Sequence, residues 1–128
     1  MLTAILLMAV NAPTPVIDFN RDIRPILTAH CIACHGPDEK TRKGDLRLDL
    51  ADLGKVATSG GKLAVPGKPA ESRLYQRIAE TNEARRMPPA YSHKSLTSAQ
   101  ISRVKLWIEQ GAPFVEHWAY SAPVKAPL

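Results

Sequence analysis

A small, mainly α fold, in which the first and last helices cross and long loops run between them, follows from three observations. The chain has 128 residues, 45% of them apolar, which suffices for one compact domain with a modest core and not for two. Two segments, one after Asp18 and one after Thr97, repeat apolar residues at spacings of three and four, the period of a helix with one buried face. Eleven prolines, and a stretch from Gly36 to Gly61 that holds only short apolar pieces, imply much irregular chain. With 23% charged residues of both signs, the composition is that of a soluble globular domain, neither disordered nor fibrous.

Residues 1–12 read as a signal-like leader. The run from Leu2 to Val10 is apolar except for Thr3 and too short to span a membrane, and Val10-Asn11-Ala12 suits cleavage after Ala12. No Lys or Arg precedes the run, which sets against this the plainer reading of a hydrophobic first strand or helical turn. The domain proper is placed at 13–118, and residues 119–128 form a proline-containing, linker-like tail without periodicity.

Within the domain, Asp18 is expected to cap a helix from Phe19 towards His30, with Phe19, Ile23, Ile26 and Leu27 on one face. Pro25 falls inside it and predicts a kink. Leu46, Leu48 and Leu50 alternate like a brief strand within the long loop. Val65-Pro66-Gly67 predicts a turn, Pro69 suits a first helical position, and Leu74, Tyr75 and Ile78 mark a short helix ending near Glu80. The last helix has the fullest specification: Thr97 with Gln100 makes a capping box, Leu96 can staple against Ile101, and Gly111 stops it. Its stripe of Ile101, Val104, Trp107 and Ile108 should pack on the first helix.

A net charge of +5 arises from scattered positives without a dense stripe or interleaved aromatics. Such a surface suits an acidic partner and argues against nucleic-acid binding.

The two cysteines of the chain stand as Cys31-Ile32-Ala33-Cys34-His35, directly after the first predicted helix. This is the attachment pattern of haem c. Two intervening residues let both sulfurs reach the two vinyl groups on one porphyrin edge, and His35 then reaches the iron. Covalent attachment of this kind takes place outside the cytoplasm, so leader and motif agree. A Cys-x-x-Cys also serves thioredoxin-like redox sites and half of a zinc site. The former needs surrounding strands that the pattern does not show, and the latter a further pair of ligands that the scattered His30, His93 and His117 do not make.

The expected site therefore comprises Cys31, Cys34, His35 and Met87 around one covalent haem c, with His35 and Met87 as iron ligands. Met87 is the one methionine outside the leader, and Pro88 and Pro89 hold it on a fixed loop. A thioether opposite an imidazole raises the reduction potential, as suits an electron carrier. His93 is the alternative ligand. Arg85 and Arg86, beside Met87, are candidates to pair with a haem propionate, and Trp107 to shield the porphyrin edge, against the plainer readings of solvated arginines and a core tryptophan.

The blocks around these residues resemble the planctomycete-type cytochrome c domain. They are Phe19-Asn20-Arg21-Asp22-Ile23-Arg24-Pro25-Ile26-Leu27, then Cys31 to His35 followed by Gly36-Pro37-Asp38-Glu39-Lys40, Leu46-Arg47-Leu48-Asp49, Val65-Pro66-Gly67-Lys68-Pro69, Arg86-Met87-Pro88-Pro89, Leu96-Thr97 and Trp107-Ile108-Glu109-Gln110-Gly111-Ala112. The resemblance implies a small cytochrome c-like fold with loops around haem. It also implies a module that stands N-terminally in much longer exported proteins, ahead of domains of unknown function, with His117-Trp118-Ala119-Tyr120 similar to the junction. Its implied partners are a redox protein or such C-terminal domains.

Taken together, the sequence reads as a monohaem electron-transfer domain, periplasmic or in the cell envelope, with no nucleic-acid partner and no membrane insertion once the leader is removed. Two other classes remain open. A peroxidase-like haem enzyme needs an open iron position and a distal acid–base group such as His93 or Glu83. A binding or structural module would use haem only to staple a small fold.

Overall fold

The computed structural model describes residue 9, residues 11–49 and residues 52–114. Most of the leader expected over 1–12, the whole tail over 119–128 and the junction-like residues His117 to Tyr120 lie outside the described residues. No helix among the described residues is long and apolar enough to cross a membrane.

The structure is mainly helix and loop, with one small hairpin. A π-helical turn, Phe19–Ile23, runs into α1, Arg24–His30. β1, Ala57–Thr58, pairs antiparallel with β2, Gly61–Lys62. A 3-10 turn, Pro69–Glu71, leads into α2, Arg73–Ile78, and after a 3-10 turn at Ala90–Ser92 the chain enters α3, Ser98–Glu109.

Asp18 caps the first helical segment as expected. Its Oδ1 accepts the Arg21 N–H at 2.7 Å, while Asp22 Oδ2 accepts the Asp18 N–H at 2.8 Å, so two otherwise unpaired donors are satisfied reciprocally. Pro25 does not kink a continuous α-helix. The irregularity lies just ahead of it, where the Arg24 N–H bonds Phe19 O across a wider turn, and Pro25 then stands in the first turn of α1, where its missing N–H costs nothing.

At the other end, α3 has the full capping box: Gln100 N–H to Thr97 Oγ1 at 3.2 Å, and Thr97 N–H to Gln100 Oε1 at 2.9 Å. It stops in a Schellman arrangement, with the Gly111 N–H on Ile108 O and the Ala112 N–H on Trp107 O. Both closing residues have positive φ, +102° at Gly111 and +50° at Ala112, a conformation that glycine adopts without strain. Thr97→Ala removes one cap acceptor, and holoprotein carrying it should unfold in urea with about 1 kcal/mol less stability. An unchanged midpoint would show that α3 is held by packing alone.

The first and last helical segments pack through aromatic rings. Phe19 lies 5.5 Å from Trp107 and 5.2 Å from Phe114, centroid to centroid, with the Arg24 guanidinium 5.0 Å over its ring. Around them Ile17, Ile23, Ile26, Leu27, Val104 and Ile108 are buried, and the cluster continues through Leu48, Leu53, Leu63, Ala64, Leu74 and Ile78. Trp107 is fully buried and donates its Nε1–H to Pro113 O at 2.9 Å.

Between α1 and α2 the sequence reading needs two corrections. Leu46, Leu48 and Leu50 do not form a strand: Leu50 lies outside the described residues, and the described part makes only single bonds, from Leu46 N–H to Lys43 O and from Leu48 N–H to His35 O. Their alternation places Leu48 in the core without a partner strand beside it. The strands form instead at Ala57–Lys62, where Ser59-Gly60 supplies a two-residue turn between short pairing segments that carry no apolar alternation. The turn at Val65-Pro66-Gly67 is as expected, with Gly67 at φ +75° and the Lys68 N–H on Val65 O. Ser72, fully buried before α2, accepts the Val65 N–H and donates to Lys68 O, tying this turn to the helix.

Candidate functional site

The end of α1 determines how the cysteine motif is presented. Cys31 and Ile32 both donate their N–H to Leu27 O, and one further turn closes as Cys34 and His35 donate to Cys31 O. Both thiols and the imidazole are thereby brought to one side of a single turn. The following loop folds back on that turn. The Lys43 N–H bonds Cys34 O at 2.7 Å, the Thr41 hydroxyl donates to Ala33 O, and Arg42 donates to the Gly36 and Pro37 carbonyls.

His35 gains an orientation from the same loop. Its Nδ1 lies 3.0 Å from Lys43 O. A carbonyl only accepts, so Nδ1 carries a proton, and in the neutral ring Nε2 then keeps the lone pair with which imidazole ligates a metal. His30 is held alike, its Nδ1 2.9 Å from Ile26 O. No disulfide joins the cysteines. Burial pushes the Cys31 thiol up to about 11, against the smaller opposing pull of Lys94, so at neutral pH it is a neutral thiol.

Met87 arrives from the far side of the sequence. Its N–H donates to Arg77 O at 3.0 Å, and Arg77 Nη1 donates to Arg85 O at 2.8 Å, so α2 fixes the loop on both sides of residue 86. The Met87–Pro88 peptide bond is cis.

These pieces converge on one cavity of about 870 Å³. Cys31, Cys34, His35 and Met87 all line it, together with an apolar wall that includes Leu46, Leu48, Val56, Leu63, Leu74 and Ile78. A large flat apolar group with a metal at its centre would meet two thiols, an imidazole nitrogen and a thioether here. The residues present fit a haem. Among the described residues there is no cluster of three or more His, Cys, Asp and Glu placed to hold a metal ion, so no further side chains complete a zinc site with the two thiols.

Residues 31–90 match the family model described as planctomycete cytochrome c, a span that runs from Cys31 past Met87. The matched segment, a little under half of the chain, is similar to that family. No curated protein and no solved structure matches the chain. A haem-binding cytochrome c domain is the function class this family gives. The match takes in the cysteine motif, the loop after it, the hairpin and α2, while α1 and α3 lie outside it.

Several sequence expectations shift in this structure. His93, the alternative ligand, is exposed and does not line the cavity, and neither does Glu83. Arg85 and Arg86 are not on its wall. They pair with Glu80 and Glu83 at 3.7 Å each. Trp107 faces Phe19 in the core, so the plainer reading of it holds. The cavity wall instead carries Arg47, Arg73, Arg77, Lys94 and His30, which the sequence reading did not single out. Only the four-residue spacing of Arg73 and Arg77 hinted that two of these share a helix face.

Gly36 shows how tightly the motif is closed. A Cβ there would collide with the Ile32 carbonyl oxygen and come within 2.9 Å of Ile32 Cγ2, and the backbone atom has no room to give. Gly36→Ala should therefore destabilise the holoprotein by about 1–3 kcal/mol. Denaturant unfolding followed through the haem absorbance would measure it, and a neutral result would mean that the turn after His35 yields freely.

Proposed function

We propose that this chain is a monohaem c-type cytochrome domain that carries single electrons in an exported redox system, periplasmic or at the cell envelope. In this reading Cys31 and Cys34 bind the porphyrin covalently through thioether bonds, and His35 and Met87 ligate the iron. The iron supplies a reversible one-electron couple when bound. What supports the reading most is the convergence of two thiols, an oriented imidazole and the thioether of Met87, from a loop more than fifty residues later, on one cavity.

The protein's own part is to hold the two ligands still. His35 is fixed by the Lys43 carbonyl and Met87 by the Arg77 carbonyl, so neither has to move when the charge of the site changes. Small rearrangement between the two oxidation states is what a fast carrier needs. His93 and Glu83, the acid–base groups considered for a peroxidase-like enzyme, are not on the cavity wall, and the His30 imidazole that is there is tied through Nδ1 to Ile26 O.

The test is a haem-stained denaturing gel followed by optical spectra of the exported protein in both oxidation states. Covalent haem with a low-spin spectrum and a weak methionine-to-iron band is expected. Covalent haem with a high-spin spectrum would favour the enzyme reading, and no haem after expression with a maturation system would end the proposal.

A further inference from the structure

Arginines in this domain mostly face carboxylates. Arg21 pairs with Asp22, Arg42 with Asp45, Arg47 with Asp49, Arg85 with Glu80 and Arg86 with Glu83. Arg73 and Arg77 differ. They stand one turn apart on α2, and both line the main cavity. Among the described residues each bonds only neutral oxygens: Arg73 Nη1 donates to Gln76 Oε1 at 2.9 Å, and Arg77 Nη1 to Arg85 O at 2.8 Å. Glu80 feels the charge of Arg77, but behind its bond from the Asn82 N–H and the nearer charge of Arg85.

A guanidinium offers five N–H donors in a planar fork, so both side chains keep most of their donors, and neither is in an ion pair among the described residues. Like charges one turn apart on a helix repel, a cost that an anion placed between them removes. The hairpin is shaped to admit this arrangement. At Gly60 a Cβ would collide with Arg73 Nε and lie 2.7 Å from Cζ, so the side chain of Arg73 crosses the bare hairpin tip, and Ala57, Thr58 and Ser59 of the same hairpin line the cavity.

The other charged groups on the wall suit two carboxylates less well. Arg47 is held by Asp49 and Asp45 points to solvent beside Arg42, while Lys94 offers a single ammonium and not a planar fork. A haem needs partners for two ionised carboxylates as well as for its iron and vinyl groups, and a pair of guanidinium forks matches two carboxylates in number, charge and geometry.

We infer that Arg73 and Arg77 are the carboxylate-binding pair of this cavity and hold the two haem propionates. The inference rests on reading the cavity as a haem site. The negative charge of a bare propionate stabilises the oxidised iron and a paired guanidinium offsets it, so losing either arginine should lower the midpoint potential.

The experiment is a potentiometric titration, at one neutral pH, of holoprotein carrying Arg73→Gln, Arg77→Gln, both, or Arg103→Gln on the exposed side of α3. A fall is expected for each of the first two and a larger fall for the pair, with Arg103→Gln like the unaltered protein and Arg73→Lys recovering most of the loss. The methionine-to-iron band should persist in Arg73→Gln, which separates a charge effect from a shifted ligand. If the glutamine variants do not mature, 15N-arginine NMR of the unaltered reduced protein reads the same bonds: the Nε–H signals of Arg73 and Arg77 should exchange more slowly than that of Arg103. Unmoved potentials, or exchange as fast as that of Arg103, would overturn the assignment. Missing covalent haem in the unaltered protein would instead remove the haem reading beneath it.

Discussion

Met87→Ala is expected to leave covalent haem in place and to abolish the low-spin spectrum, with loss of the methionine-to-iron band and a fall in midpoint potential. Met87 is the one methionine of the chain outside residues 1–12, and it lines the cavity that His35 also lines. A thioether is a soft, weakly basic ligand that favours the reduced metal, so its removal costs the reduced state more than the oxidised one. Axial ligands set haem potentials over a range of roughly 0.8 V, and the change should be a readily measured part of that range. Met87→His should restore a low-spin spectrum while keeping the potential low. A Met87→Ala protein that stays low-spin with its potential unmoved would show that another group ligates the iron.

The second large effect concerns folding. Cys31→Ser with Cys34→Ser, which denies the haem both thioether bonds, should give a chain that is largely unfolded in solution. The described core is thin: besides the aromatic cluster at Phe19, Trp107 and Phe114, its members Leu48, Leu63, Leu74 and Ile78 also line the cavity of about 870 Å³. Filled by a porphyrin, that cavity becomes the centre of the hydrophobic core. Without one, apolar residues on both sides of it have water or empty space for a neighbour. Small domains with so little buried area depend on such a staple, and binding energy to the folded state alone is folding energy. Circular dichroism should show much reduced helix, and amide NMR signals should collapse into a narrow band. Dispersed, native-like signals from the double variant would refute this.

How much of this was legible beforehand depends on whether the signal was local. Asp18, Thr97 with Gln100, Pro66-Gly67 and Gly111 act through backbone bonds a few residues away, and each does in the structure what its type and position imply. The Cys31-to-His35 motif is local in the same sense. The strand expected at Leu46 to Leu50 failed because alternation reports only which side chains are buried, and here single loop bonds to Lys43 and His35 bury Leu48 without a partner strand. The hairpin at Ala57–Lys62 escaped notice for the converse reason, since its strands are two residues each and their faces carry no apolar alternation. Arg85 and Arg86 were adjacent to Met87 in sequence, yet a turn at Asn82 sends them towards Glu80 and Glu83 while α2 brings Arg73 and Arg77 to the cavity. Nearness along the chain was a poor guide there because the loop reverses direction.

One contact near the ends of the domain has a mechanical meaning. Gln110 donates through Nε2 to Pro15 O at 2.7 Å and accepts the Ile17 N–H on Oε1 at 2.9 Å, so a single amide at the foot of α3 clasps the chain as it enters the first helix. Phe114 closes the same clasp against Phe19. Tension applied between residues 15 and 114 would therefore load this amide and these rings first. His35 and Met87 are held by other bonds, to the Lys43 and Arg77 carbonyls, so a pull on this clasp does not act on either of them directly.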